Sequence, residues 1–151
     1  MAHKEHEMFR TTKVIETLGG KRVLKRDISS ETELREAVRD GLPYASFAVV
    51  TEKLGLKGNE ASVVIQLPLR TIARRKKENK LRPDESDRVV RLARIGAMAA
   101  YVLGSEQKAS VWLHEQNRVL GGIAPLDILD TDIGARQVED VLGRIEHGVY
   151  S

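Results

Sequence analysis

The chain of 151 residues contains no cysteine, so disulfides, thiolate metal sites and cysteine nucleophiles are excluded. Long apolar runs are also missing, and no stretch approaches the roughly 20 apolar residues that a membrane span needs. The first ten residues, MAHKEHEMFR, lack the apolar segment of a secretory signal. We therefore expect a cytoplasmic protein without a membrane partner. Its length predicts one compact domain or two very small ones.

Recognisable catalytic patterns are lacking as well. The four histidines are isolated from any complete set of metal ligands or catalytic partners. Gly19-Gly20-Lys21 lacks the framework and the hydroxyl residue of a P-loop, and no serine lies in a nucleophile elbow. The sequence therefore predicts a protein that is not an enzyme and that needs neither a cofactor nor a metal.

Apolar residues recur at helical spacing through most of the chain, and no alternating strand pattern is evident, which predicts an all-α fold. Ser30 and Glu33 form a capping pair before a helix whose apolar stripe is Leu34, Ala37 and Val38. A later helix should direct Val111 and Trp112 into the core. Residues 1–28 show no sustained period, and we predict a flexible or partner-ordered arm there.

The segment LPLRTIARRKKENKLRP, from Leu67 to Pro83, is strongly basic. A helix from about Asn59 to Gln66 is interrupted at Leu67-Pro68, and a second helix follows with Leu69, Ile72 and Ala73 on one side. A short helix, a tight turn and a second helix with cations on its exposed side is the helix-turn-helix pattern. The ordinary alternative is a solvated helix face.

In the helix-turn-helix interpretation the cations divide by position. Arg70 and Thr71 occupy the N-terminal turn that meets base edges, and Arg74 projects from the same face as Arg70. The remaining cations are better placed for phosphate, which provides affinity without sequence information. The predicted DNA-binding residues are Arg70, Thr71, Arg74, Arg75, Lys76, Lys77 and Lys80.

The charge is distributed unevenly, although the formal net charge is only +3. Between Pro125 and His147 the acidic residues outnumber the two arginines, Arg136 and Arg144. A basic middle and an acidic end predict two faces with different partners. The acidic residues of that segment are Asp127, Asp130, Asp132, Glu139, Asp140 and Glu146.

Several motifs resemble the Xre/MbcA/ParS family of antitoxins, and more narrowly the Xre partners of RES-domain toxins. They are RTIARRKKENKLRPDESDRVVRLARI, then WL, then NRVLGGIAPLDILDTDIGARQVEDVLGRIEHGVYS. The resemblance covers about residues 42–151. It implies a helix-turn-helix region at 29–82 and a toxin-binding helical domain at 83–151. It also implies that the protein binds the operator of its own operon as a homodimer or a larger assembly, and that it blocks a RES toxin that consumes NAD⁺.

The chain ends in LGRIEHGVYS, where an apolar stripe stops at Ile145 and Gly148 ends the helix. An aromatic residue followed by a carboxylate suits a pocket that normally binds an anionic dinucleotide. The alternative is that Val149 and Tyr150 fold back onto the protein's own core. With the resemblance, we predict toxin contacts from Arg144, Glu146, His147, Gly148, Val149, Tyr150 and Ser151.

Two rival functions remain open. The chain could be a stand-alone helix-turn-helix transcription regulator whose C-terminal half only dimerises or senses a ligand. It could also be a protein-binding adaptor whose cations are incidental.

Overall fold

A computed structural model describes residues 2–148, with side chains from residue 8 onward. The described residues form nine α-helices and one 3₁₀ turn, and no strand, so the predicted all-α fold is confirmed. In chain order they are α1 Ala2–Thr17, α2 Gly20–Leu24, α3 Glu31–Asp40, α4 Tyr44–Lys53, α5 Gly58–Ile65, α6 Leu69–Glu78, α7 Pro83–Leu103, α8 Glu106–His114, the 3₁₀ turn Pro125–Ile128, and α9 Asp132–Glu146.

Helix α7 is the centre of the fold, and α1, α3, α4, α8 and α9 pack around it. Its apolar residues recur every three or four positions, and Val89, Ala93, Ile95 and Ala99 are completely buried. Pro83 lies at its first position, where a missing N–H costs nothing. The long apolar stripe explains why one helix can organise all its neighbours.

Several helix starts follow from side-chain caps. The Ser30 hydroxyl accepts from the Glu33 N–H at 3.1 Å, which confirms the predicted capping pair. The Glu33 carboxylate accepts in return from the hydroxyl and N–H of Ser29, and these hydrogen bonds lower the pKa of Glu33. Thr131 caps α9 in the same way, by accepting from the Gly134 N–H at 2.9 Å.

The N-terminal segment differs from the expectation of an unpatterned arm. Helices α1 and α2 form there, and α1 packs along α7. Val14, Leu18, Leu24 and Ile28 are at most 7% exposed and belong to the main core. The physical reason is that α7 offers a long apolar surface, so a few well-placed aliphatic residues suffice to hold a helix that is otherwise polar.

The expected orientation of α8 is partly wrong. Trp112 packs against the core as a half-buried residue, but Val111 is 53% exposed. Leu113 and Ala109, four residues apart, are the buried residues of this helix. The inward stripe is therefore displaced around the helix from the predicted one.

Candidate functional site

The turn between α5 and α6 is closed without glycine. Gln66 ends α5 in the left-handed conformation, at φ 57° and ψ 46°. The Leu67 N–H donates to the Ser62 carbonyl at 3.0 Å, and the Gln66 N–H donates to Val63 at 3.2 Å. Leu67 is buried, and Pro68 then directs the chain into α6. A helix, a tight turn and a second helix thus occur where the sequence predicted them.

Helix α6 exposes most of its cations. Arg70 and Arg74 are one turn apart on the same face, and Lys77 extends that stripe by three residues. Lys76 is also exposed, as is Lys80 just after the helix, whereas Thr71 is half-buried. Five of the seven predicted DNA-binding residues therefore present their charge to solvent, where it can meet a polyanion.

Arg75 does not belong to that exposed set. Its side chain is buried, with 5% of the residue exposed, and its guanidinium forms a bidentate pair with Glu85. Nε donates to Oε1 at 2.7 Å and Nη2 donates to Oε2 at 3.0 Å. The prediction that Arg75 contacts phosphate is corrected, because a side chain buried in a bidentate pair cannot reach DNA.

This pair fixes α6 against the start of α7. The Arg82 N–H also donates to Glu85 Oε1, at 2.9 Å, so one carboxylate receives three hydrogen bonds. Burial alone raises the pKa of Glu85, but the bonds from Arg75 and Arg82 outweigh it and the net pKa is lowered. The bonds with Glu85 in turn raise the pKa of Arg75. Both groups therefore remain charged at neutral pH.

The apolar residues of α6 are also placed differently from the sequence expectation. Ile72 packs against the core, but Leu69 is 52% exposed and Ala73 is exposed as well. The inward face of α6 is completed by Arg75, three residues after Ile72. One arginine of the basic run is therefore structural. The face formed by Leu69 and Ala73, which was expected to be buried, is exposed to solvent.

Contacts also join the helix-turn-helix to α8. His114 Nε2 lies 3.1 Å from Glu60 Oε2 on α5, and its Nδ1 lies 2.7 Å from the Ser110 carbonyl oxygen. The Ser110 hydroxyl donates to the Leu54 carbonyl at 3.0 Å. These bonds hold α8 against the region that precedes the basic helix. His114 therefore has a bridging position between two parts of the fold.

The predicted toxin-binding residues lie at the end of α9. Arg144, His147 and Gly148 are exposed, and Gly148 has a φ of 69°. The Glu146 side chain is 22% exposed and lines a groove of about 280 Å³ between α1, α3, α7 and α9. Val149, Tyr150 and Ser151, the remaining predicted contacts, lie outside the described residues.

Close backbone packing positions α9. Gly134 approaches the Ile128 carbonyl so closely that a Cβ built on it would lie 1.7 Å from that oxygen. Ala135, Val138 and Leu142 then bury one face of the helix. The 3₁₀ turn and α9 therefore form one unit, which determines where the end of α9 points.

No helix within residues 2–148 has the length and apolarity needed to cross a membrane. Among the side chains described, those of residues 8–148, His, Asp and Glu do not gather in groups of three or more that could hold a metal ion.

Comparisons with known proteins match both parts of the chain. Residues 33–94 match the antitoxin Xre-like helix-turn-helix domain, and residues 98–148 match the antitoxin Xre/MbcA/ParS C-terminal toxin-binding domain. A chain in the crystal structure of the M. tuberculosis MbcT-MbcA toxin-antitoxin complex has a similar fold. The TM-score is 0.55 at 23% identity, over 72% of this chain and 96% of that one.

Curated relatives agree with these matches. The antitoxin Xre of Pseudomonas putida is 35% identical over 81% of this chain and 76% of its own length. The antitoxin Xre of Photorhabdus laumondii is 30% identical over 82% of this chain and 84% of its own. The antitoxin Xre of Yersinia enterocolitica is 36% identical over 56% of this chain and 59% of its own. The chain therefore belongs to the Xre antitoxin family.

Proposed function

We propose that the protein neutralises a RES-domain toxin that degrades NAD⁺, and that it represses transcription of its own operon by binding operator DNA as a homodimer in the cytoplasm. The proposal is supported mainly by the presence of a DNA-binding type of helix and a toxin-binding type of domain in the same chain. An exposed cationic α6 lies within the helix-turn-helix segment, and the following segment matches a toxin-binding domain.

The DNA-binding half of the proposal is supported by the surface of α6. Arg70 and Arg74 would enter a major groove about 12 Å wide, where arginine can bind guanine O6 and N7. Lys76, Lys77 and Lys80 would neutralise phosphates. Arg75 would act indirectly, because its pair with Glu85 holds α6 at a fixed angle to α7.

The toxin-binding half is supported by the end of α9. The exposed Arg144, His147 and Gly148 lead directly into Val149, Tyr150 and Ser151. A tail that carries one aromatic ring, that of Tyr150, can occupy a pocket shaped for a dinucleotide. The antitoxin would then inhibit by filling the active site of the toxin.

The two halves can be tested with two variants. The toxin for the test is the product of the reading frame beside this one. Deleting residues 148–151 should abolish rescue of cells that express the toxin and leave operator binding intact. Replacing Arg70 and Arg74 with glutamate should abolish operator binding and leave rescue intact, because both side chains are exposed and distant in sequence from the tail.

Each result bears on a different function. Full rescue by the deletion variant would contradict the tail mechanism. If the chain binds DNA but never neutralises the neighbouring toxin, a stand-alone regulator would be the correct assignment. Unchanged operator binding by the double glutamate variant would refute recognition by α6. A salt titration adds a further check, because phosphate contacts make affinity fall steeply with salt.

A further inference from the structure

Leu69 and Ala73 form an exposed apolar strip on α6. Leu69 is the first residue of the helix and is 52% exposed, and Ala73 is exposed one turn later. Arg70 follows Leu69 and Arg74 follows Ala73, so the two arginines form a cationic strip parallel to the apolar one. The N-terminal half of the helix therefore presents two adjacent rows of different chemistry.

Leu69 lies near the start of α5. A Cβ built on Gly58, the first residue of α5, would lie 4.0 Å from Leu69 Cδ2, which is ordinary van der Waals contact. The side chain thus rests beside the first turn of α5 and leaves about half of its surface open. An aliphatic group that is half exposed in this place is available to a ligand that approaches the start of α6.

The chemical groups that this surface can recognise are those of the DNA major groove. The major groove displays the C5-methyl group of thymine, which apolar side chains recognise, next to the guanine acceptors that arginine recognises. We propose that Leu69 and Ala73 read thymine methyl groups in the operator, beside the bases contacted by Arg70 and Arg74. The inference rests on the proposed operator binding, and it assigns sequence specificity to two residues that carry no charge.

The test uses uracil, which is thymine without its methyl group. DNA from upstream of the protein's own reading frame is prepared with part of its thymine replaced by uracil. After it is mixed with the protein, bound and free DNA are separated and the uracil at each position is compared between them. At one or two thymines in each half-site, uracil should weaken binding by about three- to fivefold, which corresponds to burial of one methyl group.

Variants connect the effect to the side chain. Leu69→Ala should weaken binding to thymine DNA and lose the uracil effect at one position, so the two changes are not additive. Ala73→Ser should reduce the effect at a second position. Val111→Ala, which truncates a 53% exposed aliphatic residue on α8, should leave the whole pattern unchanged.

The outcomes separate the inference from the function on which it rests. If the protein binds this DNA but uracil has no effect, methyl reading by α6 is refuted while operator binding stands. If Leu69→Ala keeps the full effect, methyl reading by Leu69 is refuted, and if Ala73→Ser also keeps it, so is reading by Ala73. If the wild-type protein binds no DNA from this region even at low salt, both fail. Both residues are exposed, so their substitution should leave the fold intact, and circular dichroism of each variant checks this.

Discussion

Arg75 is a cation of the basic segment, but its role is structural. It lies among exposed cations, but its guanidinium is buried against Glu85 at the junction of α6 and α7. Its neighbour Lys76 points to solvent. The two residues therefore make a matched comparison of a structural cation with a solvated one.

Replacing Arg75 with alanine should lower the free energy of unfolding by about 3–5 kcal/mol, because the Glu85 carboxylate is left buried without its counter-charge. Lys76→Ala should change it by no more than about 0.5 kcal/mol. Urea titration followed by circular dichroism measures both. A loss below about 1 kcal/mol in Arg75→Ala would mean that the pair does not secure α6.

The same pair makes stability depend on pH. The pKa of Glu85 in the folded protein lies below its ordinary value of 4.5. Ionised Glu85 therefore stabilises the fold fully at pH values above 4.5, and this contribution is lost as the pH falls through the lower folded-state pKa. The direction follows because the unfolded chain binds the proton more readily than the folded one.

Glu85→Gln should thus be less stable than the wild type at neutral pH, and the difference should shrink as the pH falls below 4.5. The measurement is the free energy of unfolding in urea for both proteins across a pH series. A difference that stays constant or grows in acid would contradict the lowered pKa of Glu85.

At the scale of helices, the turn before α6 contains a correctable strain. Gln66 has a φ of 57°, a conformation that a residue with a Cβ adopts at a cost. Gln66→Gly should therefore raise the free energy of unfolding by up to about 1 kcal/mol. Val63→Gly, within α5 and 66% exposed, should lower it by a similar amount. Thermal unfolding would show shifts of opposite sign, and two losses would contradict the strain.

Helix α9 offers a second matched pair. Gly134→Ala would force a Cβ against the Ile128 carbonyl and should cost about 1–3 kcal/mol. Gly143, in the same helix, has open space around it, so Gly143→Ala should be neutral or stabilising by up to about 1 kcal/mol. Both are measured by urea titration. Equal effects would show that the contact between α9 and the 3₁₀ turn is unimportant.

The helices predictable from sequence are those with explicit signals. The capping pair of Ser30 and Glu33 marks a helix start that the structure reproduces. Helix α1 has no such signal, because its polar residues obscure the apolar period. Among its apolar residues from Met8 onward only Val14 is buried, at 7% exposed. Its stability depends on α7, a distant partner that no local pattern reveals.

The predicted site shows the same limit. Exposure of Arg70 and Arg74 follows from helical spacing and is reproduced. The burial of Arg75 depends on Glu85, a residue in the next helix, so the basic run alone could not distinguish it from its neighbours. A usable signal did exist: Arg75 lies three residues after the inward-facing Ile72, and Glu85 is an acid beside the run.

At the scale of the whole molecule, the two family matches share one helix. Residues 33–94 and 98–148 meet within α7, where Ile95 is completely buried. The contact between His114 and Glu60 and the hydrogen bond between Ser110 and Leu54 cross the same boundary. Helix α1 covers α7 from the other end of the chain. A toxin bound at one end would therefore be held at a fixed position relative to DNA bound at the other.

This continuity predicts a single cooperative unfolding transition. Trp112, the only tryptophan, is half-buried on α8 and reports on the C-terminal segment, whereas Arg75 lies in the helix-turn-helix. Arg75→Ala should lower the midpoint of Trp112 fluorescence as much as it lowers that of circular dichroism, because the segments unfold together. Lys76→Ala should move neither midpoint. An unchanged fluorescence midpoint in Arg75→Ala, or two separate steps, would mean that α7 joins two independent units, and toxin binding would then have no fixed geometry relative to DNA.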